Sequence, residues 1–220
     1  EVVIDSNLIH ISNEIAGSPA TIGINHNASV ANLLIRHNHF DIISNSNASI
    51  GAINLNGNIS NYIKIDSNTI DTFRMMFTGV SSSNKRFINC TAGSASCNKS
   101  MTGNVFYTIL IENAGNNSGE VSYIYNSGEG LNTIINKNTA SNHVIKTNGQ
   151  IYLIYNSFTN TNVGNRTVSG NYFENIARTG TGSSGIICYN DNASVNTTNY
   201  ILQNNVFKNI NNGTKSRFCV

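Results

Sequence analysis

The side chains best suited to chemistry are two aspartates, Asp41 and Asp71, with Arg36 and His39 close to the first of them. Each aspartate stands three residues after an asparagine of a repeated pattern, which predicts that their carboxylates lie on adjacent rungs of a stacked structure. Neighbouring carboxylates perturb each other's pKa, and with a histidine and an arginine they could cleave a glycosidic bond by acid–base catalysis. Elsewhere the same position holds unrelated polar types, which favours a solvated ridge over a catalytic site; these are His10, Tyr107, Ser141, Glu174 and Lys208.

The pattern that carries these residues repeats along the whole chain. Its clearest copy is Val168–Ile176, where an asparagine is flanked by apolar residues in the order apolar-x-x-Asn-x-apolar-x-x-apolar. A fixed period in this size range indicates a solenoid, in which each unit buries its apolar face against its neighbours. The asparagines have a mean spacing of 33 residues and are Asn7, Asn38, Asn68, Asn104, Asn138, Asn171 and Asn205.

The repeating units read as strands, because isoleucine, valine, phenylalanine and tyrosine fill the apolar positions and asparagine is a poor helix former. We predict an all-β chain folded as a right-handed parallel β-helix of about seven coils, with about 33 residues per coil. Asparagine suits the corner because it tolerates left-handed backbone, and stacked amides would form a ladder. The predicted inward columns are Ile35, Ile65, Met101, Ile135, Val168 and Leu202, and then Phe40, Ile70, Phe106, Phe173 and Phe207.

The Ser-Gly-Asn-x-Phe-x-Asn-Ile motif that begins at Ser169 resembles the pectate-lyase-like superfamily of right-handed parallel β-helices, and the resemblance covers the whole chain. That superfamily contains polysaccharide lyases, glycoside hydrolases, phage tailspikes and adhesins, so the resemblance implies a fold and leaves the function open. Its lyases use acidic calcium ligands with a basic residue, and its hydrolases use clustered aspartates. The aspartates here match neither arrangement, so neither metal nor cofactor is expected; they are Asp5, Asp41, Asp66, Asp71 and Asp191.

Residues 1–220 are predicted to form a single β-helix domain. Both ends read as uncapped rungs, so the expected partner is either the remainder of a longer chain or a second copy stacked end to end. Charged residues make up only 11% of the chain and the net charge is +2, which argues against a nucleic-acid surface. We expect no membrane insertion, because no apolar run is long enough, and Glu1–Ile4 predicts a strand rather than a signal peptide.

Three long stretches look irregular: Thr78–Ser100, Asn113–Gly130 and Arg178–Gly185. Loops that leave a β-helix are expected to carry function, because packing fixes the column itself. The first stretch contains the small basic cluster Ser81–Arg86, which is expected to be a solvated loop.

The four cysteines are Cys90, Cys97, Cys188 and Cys219. Cys90 and Cys97 flank a short segment of small residues that a disulfide could close, and Cys188 and Cys219 are about one coil apart. We predict these two bridges, which together imply an oxidising compartment. Zinc binding is the alternative, but the close cysteine spacing of zinc sites is absent.

Ten Asn-x-Ser/Thr sequons occur, although the abundance of asparagine, serine and threonine nearly accounts for them. The sequons that look most loop-like, and hence most open to glycosylation, are Asn27, Asn47, Asn192 and Asn212.

The sequence favours a non-enzymatic, extracellular structural or adhesive β-helix, such as a surface fibre, filament, spike or adhesin module, with glycans as possible ligands. The reasons are the cysteines, the amide- and hydroxyl-rich composition and the lack of a convergent ionisable cluster. The expected location is the extracellular space, a cell surface or a virion surface. The alternative is a polysaccharide lyase or glycoside hydrolase, or a phage or viral tailspike that acts on polysaccharide.

Overall fold

A computed structural model describes residues 1–13, 20–77, 79–113, 117–157, 164–192 and 199–212. Within these ranges the chain forms twenty β-strands and no helix. The strands recur in threes, so that each turn contributes one strand to each of three parallel sheets. The chain is therefore an all-β parallel β-helix, and two sheets of seven strands and one of six agree closely with the predicted seven coils.

The three sheets run along the length of the solenoid. Sheet A contains β1 (Val2–Asp5), β4 (Val30–Arg36), β7 (Ile59–Asp66), β10 (Asn98–Thr102), β13 (Asn132–Asn136), β16 (Asn165–Ser169) and β19 (Asn199–Gln203). Sheet B contains β2 (Leu8–Asn13), β5 (His39–Ser44), β8 (Thr69–Phe77), β11 (Val105–Asn113), β14 (Thr139–Ile145), β17 (Tyr172–Arg178) and β20 (Val206–Asn211). Sheet C contains β3 (Thr21–His26), β6 (Ile50–Leu55), β9 (Lys85–Cys90), β12 (Val121–Asn126), β15 (Ile151–Asn156) and β18 (Ile186–Asp191).

The strand register confirms both predicted core columns. In sheet A, Ile35 pairs with Ile65, and each later member of the column pairs with the next as far as Leu202. Members on interior strands are at most 2% exposed, whereas Leu202 on the last strand is 37% exposed and Phe207 is half-buried. Burial therefore depends on having a covered turn on both sides, as expected for a solenoid.

The predicted asparagine ladder is present at the corner between sheets A and B, and Asn104 shows its geometry. Its Oδ1 accepts from the main-chain N–H of Asn68 at 3.1 Å and from Asn68 Nδ2 at 3.0 Å. Its Nδ2 donates to the Ile65 carbonyl and to Asn138 Oδ1, both at 3.0 Å. Side-chain bonds of this kind connect all seven corner residues, Asn7, Asn38, Asn68, Asn104, Asn138, Asn171 and Asn205.

The left-handed backbone at this corner belongs to the residue before each asparagine and not to the asparagine, which corrects the sequence prediction. A left-handed residue reverses the chain, and the asparagine that follows can then direct its own N–H toward the amide of the next turn. Only two of the seven are glycine, so the corner strains most of the others. The seven residues that precede the corner asparagines have φ between 52° and 64°, and they are Ser6, His37, Ser67, Gly103, Lys137, Gly170 and Asn204.

The predicted Cys90–Cys97 disulfide is wrong for this structure, because both residues are free thiols with no exposed surface. Cys90 pairs in register with Leu55, so its thiol fills an apolar position of the core. Burial raises the pKa of Cys90 above its usual range and that of Cys97 to about 11. Cys188 is also a free, buried thiol, and its expected partner Cys219 lies outside the described residues.

The stretches predicted to be irregular contain strands β9, β10 and β12, and some of their cations point inward. Lys85, in the cluster expected to be a solvated loop, pairs in register with Ile50 and has no exposed surface. Its Nζ donates to the Ser83 carbonyl at 2.6 Å. Arg178 likewise donates to the Gly182 carbonyl at 3.2 Å. These interior cations hold turn carbonyls that would otherwise be buried without a partner.

Candidate functional site

The structure separates the expected catalytic carboxylates. Asp41 and Asp71 lie on adjacent strands β5 and β8, but Asp41 pairs with Thr72, because the register shifts by one residue at this point. Asp41 Oδ2 lies 2.8 Å from His10 Nδ1, and Asp71 Oδ2 lies 3.3 Å from His39 Nε2. Each carboxylate therefore has a histidine partner, and the two do not form a matched pair.

Arg36 binds neither of these aspartates and contacts a third carboxylate, that of Asp5. Its Nε lies 2.7 Å from Asp5 Oδ2, and His37 Nδ1 lies 3.1 Å from Asp5 Oδ1. The hydrogen bond from Arg36, with smaller contributions from Ser6 and His37, lowers the pKa of Asp5 to about 2. The four candidate residues are thus divided among separate, solvent-exposed ion pairs, which fits the solvated ridge.

A groove of about 470 Å³ lies on the outer face of sheet A, and we call it the sheet A groove. It runs between two rows of outward side chains that alternate along each strand. One row is made of amides, Asn98, Asn132 and Asn165. The other row is mixed and contains Lys64, Ser100, Ile134 and Thr167, and Tyr62 precedes Asn98 in the amide row.

The amides of the groove form a second, exposed ladder. Asn132 Nδ2 donates to Asn98 Oδ1 at 2.7 Å, and Asn165 Nδ2 donates to Asn132 Oδ1 at 3.1 Å. Asn199 Nδ2 extends the ladder by donating to Asn165 Oδ1 at 3.0 Å. These bonds use one hydrogen of each donating amide group, so each keeps a second Nδ2 hydrogen for a ligand. The side chains are thereby held in fixed positions along the groove.

Sequence reasoning missed this groove, although a signal for it exists. Each of its amides stands six residues before a corner asparagine, as Asn132 does before Asn138. The repeated Asn-x5-Asn pairing could therefore have predicted an outer amide row parallel to the corner ladder.

Sheet C carries a column of aromatic and charged side chains. The rings of Tyr125 and Tyr155 stack 4.6 Å apart at an interplanar angle of 2°, and Arg86 Cζ lies 3.3 Å from the centre of the Tyr125 ring. Arg86 comes from β9 and Tyr155 from β15, so they cover opposite faces of Tyr125. Arg86 Nε is also bound to Glu120 Oε1 at 3.0 Å. The faces of Tyr125 are therefore not open for stacking on a sugar.

Two reactive-looking groups are enclosed instead of exposed. Lys85 Nζ lies 3.0 Å from Ser81 Oγ, and a serine–lysine pair can act as a nucleophile with its base. Burial lowers the pKa of Lys85 to about 8. Ser81 Oγ, however, donates its hydrogen to the Asn47 carbonyl and the residue is 3% exposed. The pair therefore stabilises a turn and is closed to substrate.

The second enclosed group is His143, which lies in the aromatic core with no exposed surface. Its Nε2 lies 2.8 Å from the Tyr107 carbonyl and must donate to it, so Nδ1 accepts from the Tyr123 hydroxyl at 2.6 Å. Burial lowers the pKa of His143 to about 4. Both ring nitrogens are satisfied in the neutral form, which gives His143 a structural role.

This arrangement predicts an acid-sensitive fold. Between pH 6.5 and about pH 4, His143 is protonated in the unfolded chain and neutral in the folded chain. The free energy of unfolding therefore decreases as the pH is lowered through this range. The expected loss is about 3 kcal/mol. Urea unfolding at pH 7.5 and pH 4.5 should show this loss in the natural chain and a smaller one in His143→Phe. Equal pH dependence in both proteins would contradict the assignment.

Three of the four candidate glycosylation sites, Asn27, Asn47 and Asn192, are exposed at turns. Asn212 is only 7% exposed, so its amide is poorly accessible in the folded chain.

Among the described residues, no group of three or more histidine, cysteine, aspartate or glutamate side chains is placed to hold a metal ion. The same part of the chain has no helix long and apolar enough to cross a lipid bilayer. Comparisons with protein-family models, with curated proteins and with solved structures find no match to the chain.

Proposed function

We propose that this chain is a non-enzymatic structural or adhesive β-helix of an extracellular, cell or virion surface, and that it binds glycans along the sheet A groove. The observation that carries the proposal is the exposed amide ladder beside that groove. The amide- and hydroxyl-rich composition supports the location, whereas the free cysteines give it no support.

The groove has the chemistry that a glycan requires. Successive amides are one rung apart, about 4.8 Å, and so present hydrogen-bond donors at regular intervals to a linear polymer of hydroxyl groups. Ile134 is 40% exposed and Tyr62 is half-buried, which gives the apolar faces of sugar rings surfaces to contact. The ladder fixes the amides before binding, which reduces the entropic cost of ordering them.

Removing one amide from the groove should weaken binding. We expect Asn132→Ala to lower affinity about tenfold for any oligosaccharide that the natural chain binds in an array of neutral and acidic glycans, since one or two hydrogen bonds are lost. Titration calorimetry measures the change. Asn54→Ala is the matched control, because Asn54 belongs to an equivalent exposed ladder on sheet C, where it donates to Asn25 Oδ1 at 2.8 Å. Equal affinities of the two variants would contradict the proposal that glycans bind in the sheet A groove.

Polysaccharide cleavage remains the second candidate, and the His39–Asp71 and His10–Asp41 pairs favour it because each could transfer protons. The two functions differ in their products. Incubation with the glycans that bind should leave them intact if the chain is an adhesin. New reducing ends or unsaturated products that disappear in Asp71→Asn would instead establish an enzyme.

We propose that the solenoid has a partner at its ends, either a second copy stacked end to end or the remainder of a longer chain. Each corner amide from Asn7 to Asn171 donates to the amide of the following turn, so a further turn of the same kind would extend the ladder. Sizing chromatography distinguishes them, because only self-association depends on concentration.

A further inference from the structure

Lys99 crosses the interior of the solenoid from sheet A to sheet C. Its Nζ lies 3.2 Å from Asn126 Oδ1 and also donates to the Gly128 carbonyl. Lys99 is 2% exposed and Asn126 has no exposed surface, so the contact is dry. A buried lysine therefore meets a side-chain carboxamide in the absence of bulk water.

The surroundings of Lys99 favour a reactive amine. Burial lowers the pKa of Lys99, and weaker coulombic interactions with Cys90, Cys97 and Glu129 oppose this shift. In the part of the chain that the structure describes, no carboxylate accepts a hydrogen bond from Lys99 Nζ. Gly93 gives the side chain its space, because a Cβ there would lie 2.7 Å from Lys99 Cε.

We propose that Lys99 and Asn126 form an intramolecular isopeptide bond. Lys99 Nζ gives one proton to Asn126 Oδ1, to which it already donates a hydrogen bond, and the neutral Nζ attacks Asn126 Cγ. Nζ then gives a second proton to Nδ2, the bond from Cγ to Nδ2 breaks, and Nδ2 leaves as ammonia. Oδ1 returns its proton to the ammonia, which leaves as ammonium. The products are a secondary amide between the side chains and one ammonium ion, so no oxidant or other reactant is needed.

The position of Asn126 suits this reaction. Its Nδ2 donates to Asn156 Oδ1 at 2.7 Å, which holds the carboxamide in place while Oδ1 faces the lysine. Exclusion of water removes the competing nucleophile, and the hydrogen bond between Lys99 and Asn126 holds the reacting groups together. Both effects favour amide formation. The bond would join β10 to β12 of the same turn and close a loop across 27 residues, so that this turn is closed covalently across its interior.

The mass of the purified chain tests the proposal directly. Under reducing conditions the intact protein should be lighter than its sequence mass by about 17 Da, the mass of one ammonia. Digestion with trypsin and a glutamate-specific protease should give Phe87–Glu112, uncleaved after Lys99, joined to Val121–Glu129. The sequence mass, together with normal cleavage after Lys99 and two separate peptides, would overturn the proposal, and this result needs no variant to fold.

Matched variants assign the residues. Lys99→Met and Asn126→Ala should each restore the mass expected for their sequences, and Lys85→Met, which removes the other buried lysine, should retain the loss of ammonia. A linked Lys99→Met protein would overturn the assignment to Lys99, and a linked Asn126→Ala protein would overturn the assignment to Asn126.

Discussion

Replacing Asn104 by alanine should destabilise the solenoid more than almost any other polar substitution. The change removes the four hydrogen bonds of its amide and leaves the main-chain N–H of Asn68 buried without a partner. It also takes one of the two hydrogen bonds that Asn68 Nδ2 donates. Each unsatisfied buried group costs about 1–3 kcal/mol, so the expected loss is on the order of 4 kcal/mol. Urea unfolding followed by circular dichroism measures it.

The exposed ladder supplies the control for this experiment. Asn132 also bonds to the amides above and below it, but water can replace its bonds when the side chain is removed. Asn132→Ala should therefore cost less than about 1 kcal/mol. A similar loss for Asn104→Ala and Asn132→Ala would mean that the corner ladder is no more important to stability than the surface one.

The fold was predictable because the asparagine period and the apolar period agree. Asn104 and Phe106 recur together, so the spacing that identified the corner also assigned the inward residues of sheets A and B. The backbone of the corner was harder to predict. Serine, histidine, lysine and glycine all precede corner asparagines, and this mixture hides the left-handed conformation that the residues share.

The interior cations were not predictable from the same pattern. Lys85 and Lys99 occupy positions that hold isoleucine in neighbouring turns, Ile50 and Ile63. A charged residue at a core position breaks the alternation that identifies a strand, so the sequence predicts irregular segments at these positions. Only the register shows that each lysine reaches from a core position to turn carbonyls.

The candidate site, like the fold, was only partly predictable from the sequence. The expectation that Asp41 and Asp71 face each other requires one constant register, and the irregularity between Phe40 and Asp41 pairs Asp41 with Thr72 instead. Both carboxylates remain on the solvent side, but each binds a different histidine. By contrast, Asn98 and Asn132 keep a constant offset from the corner asparagines, so the row of amides beside the groove could be predicted from the period.

Phe106→Ala, a substitution in the apolar core, should lower the free energy of unfolding about as much as Asn104→Ala. Phe106 is 1% exposed, and its ring centre lies 5.3 Å from that of Tyr123 and 6.1 Å from that of Phe87. Truncation removes the buried ring and leaves a cavity that the paired strands on either side cannot close. The expected cost is about 3–5 kcal/mol in the free energy of unfolding.

Tyr107, the residue next to Phe106, tests which side chains of β11 face the core. Tyr107 is 57% exposed, and the hydrogen bond that it makes to His143 uses its main-chain carbonyl, which substitution of the side chain leaves in place. Tyr107→Ala should therefore change stability by less than about 1 kcal/mol. Phe207→Ala, in the same column but on the half-buried last strand, should fall between the two. If Tyr107→Ala proved as costly as Phe106→Ala, the inward and outward faces of β11 would be wrongly assigned.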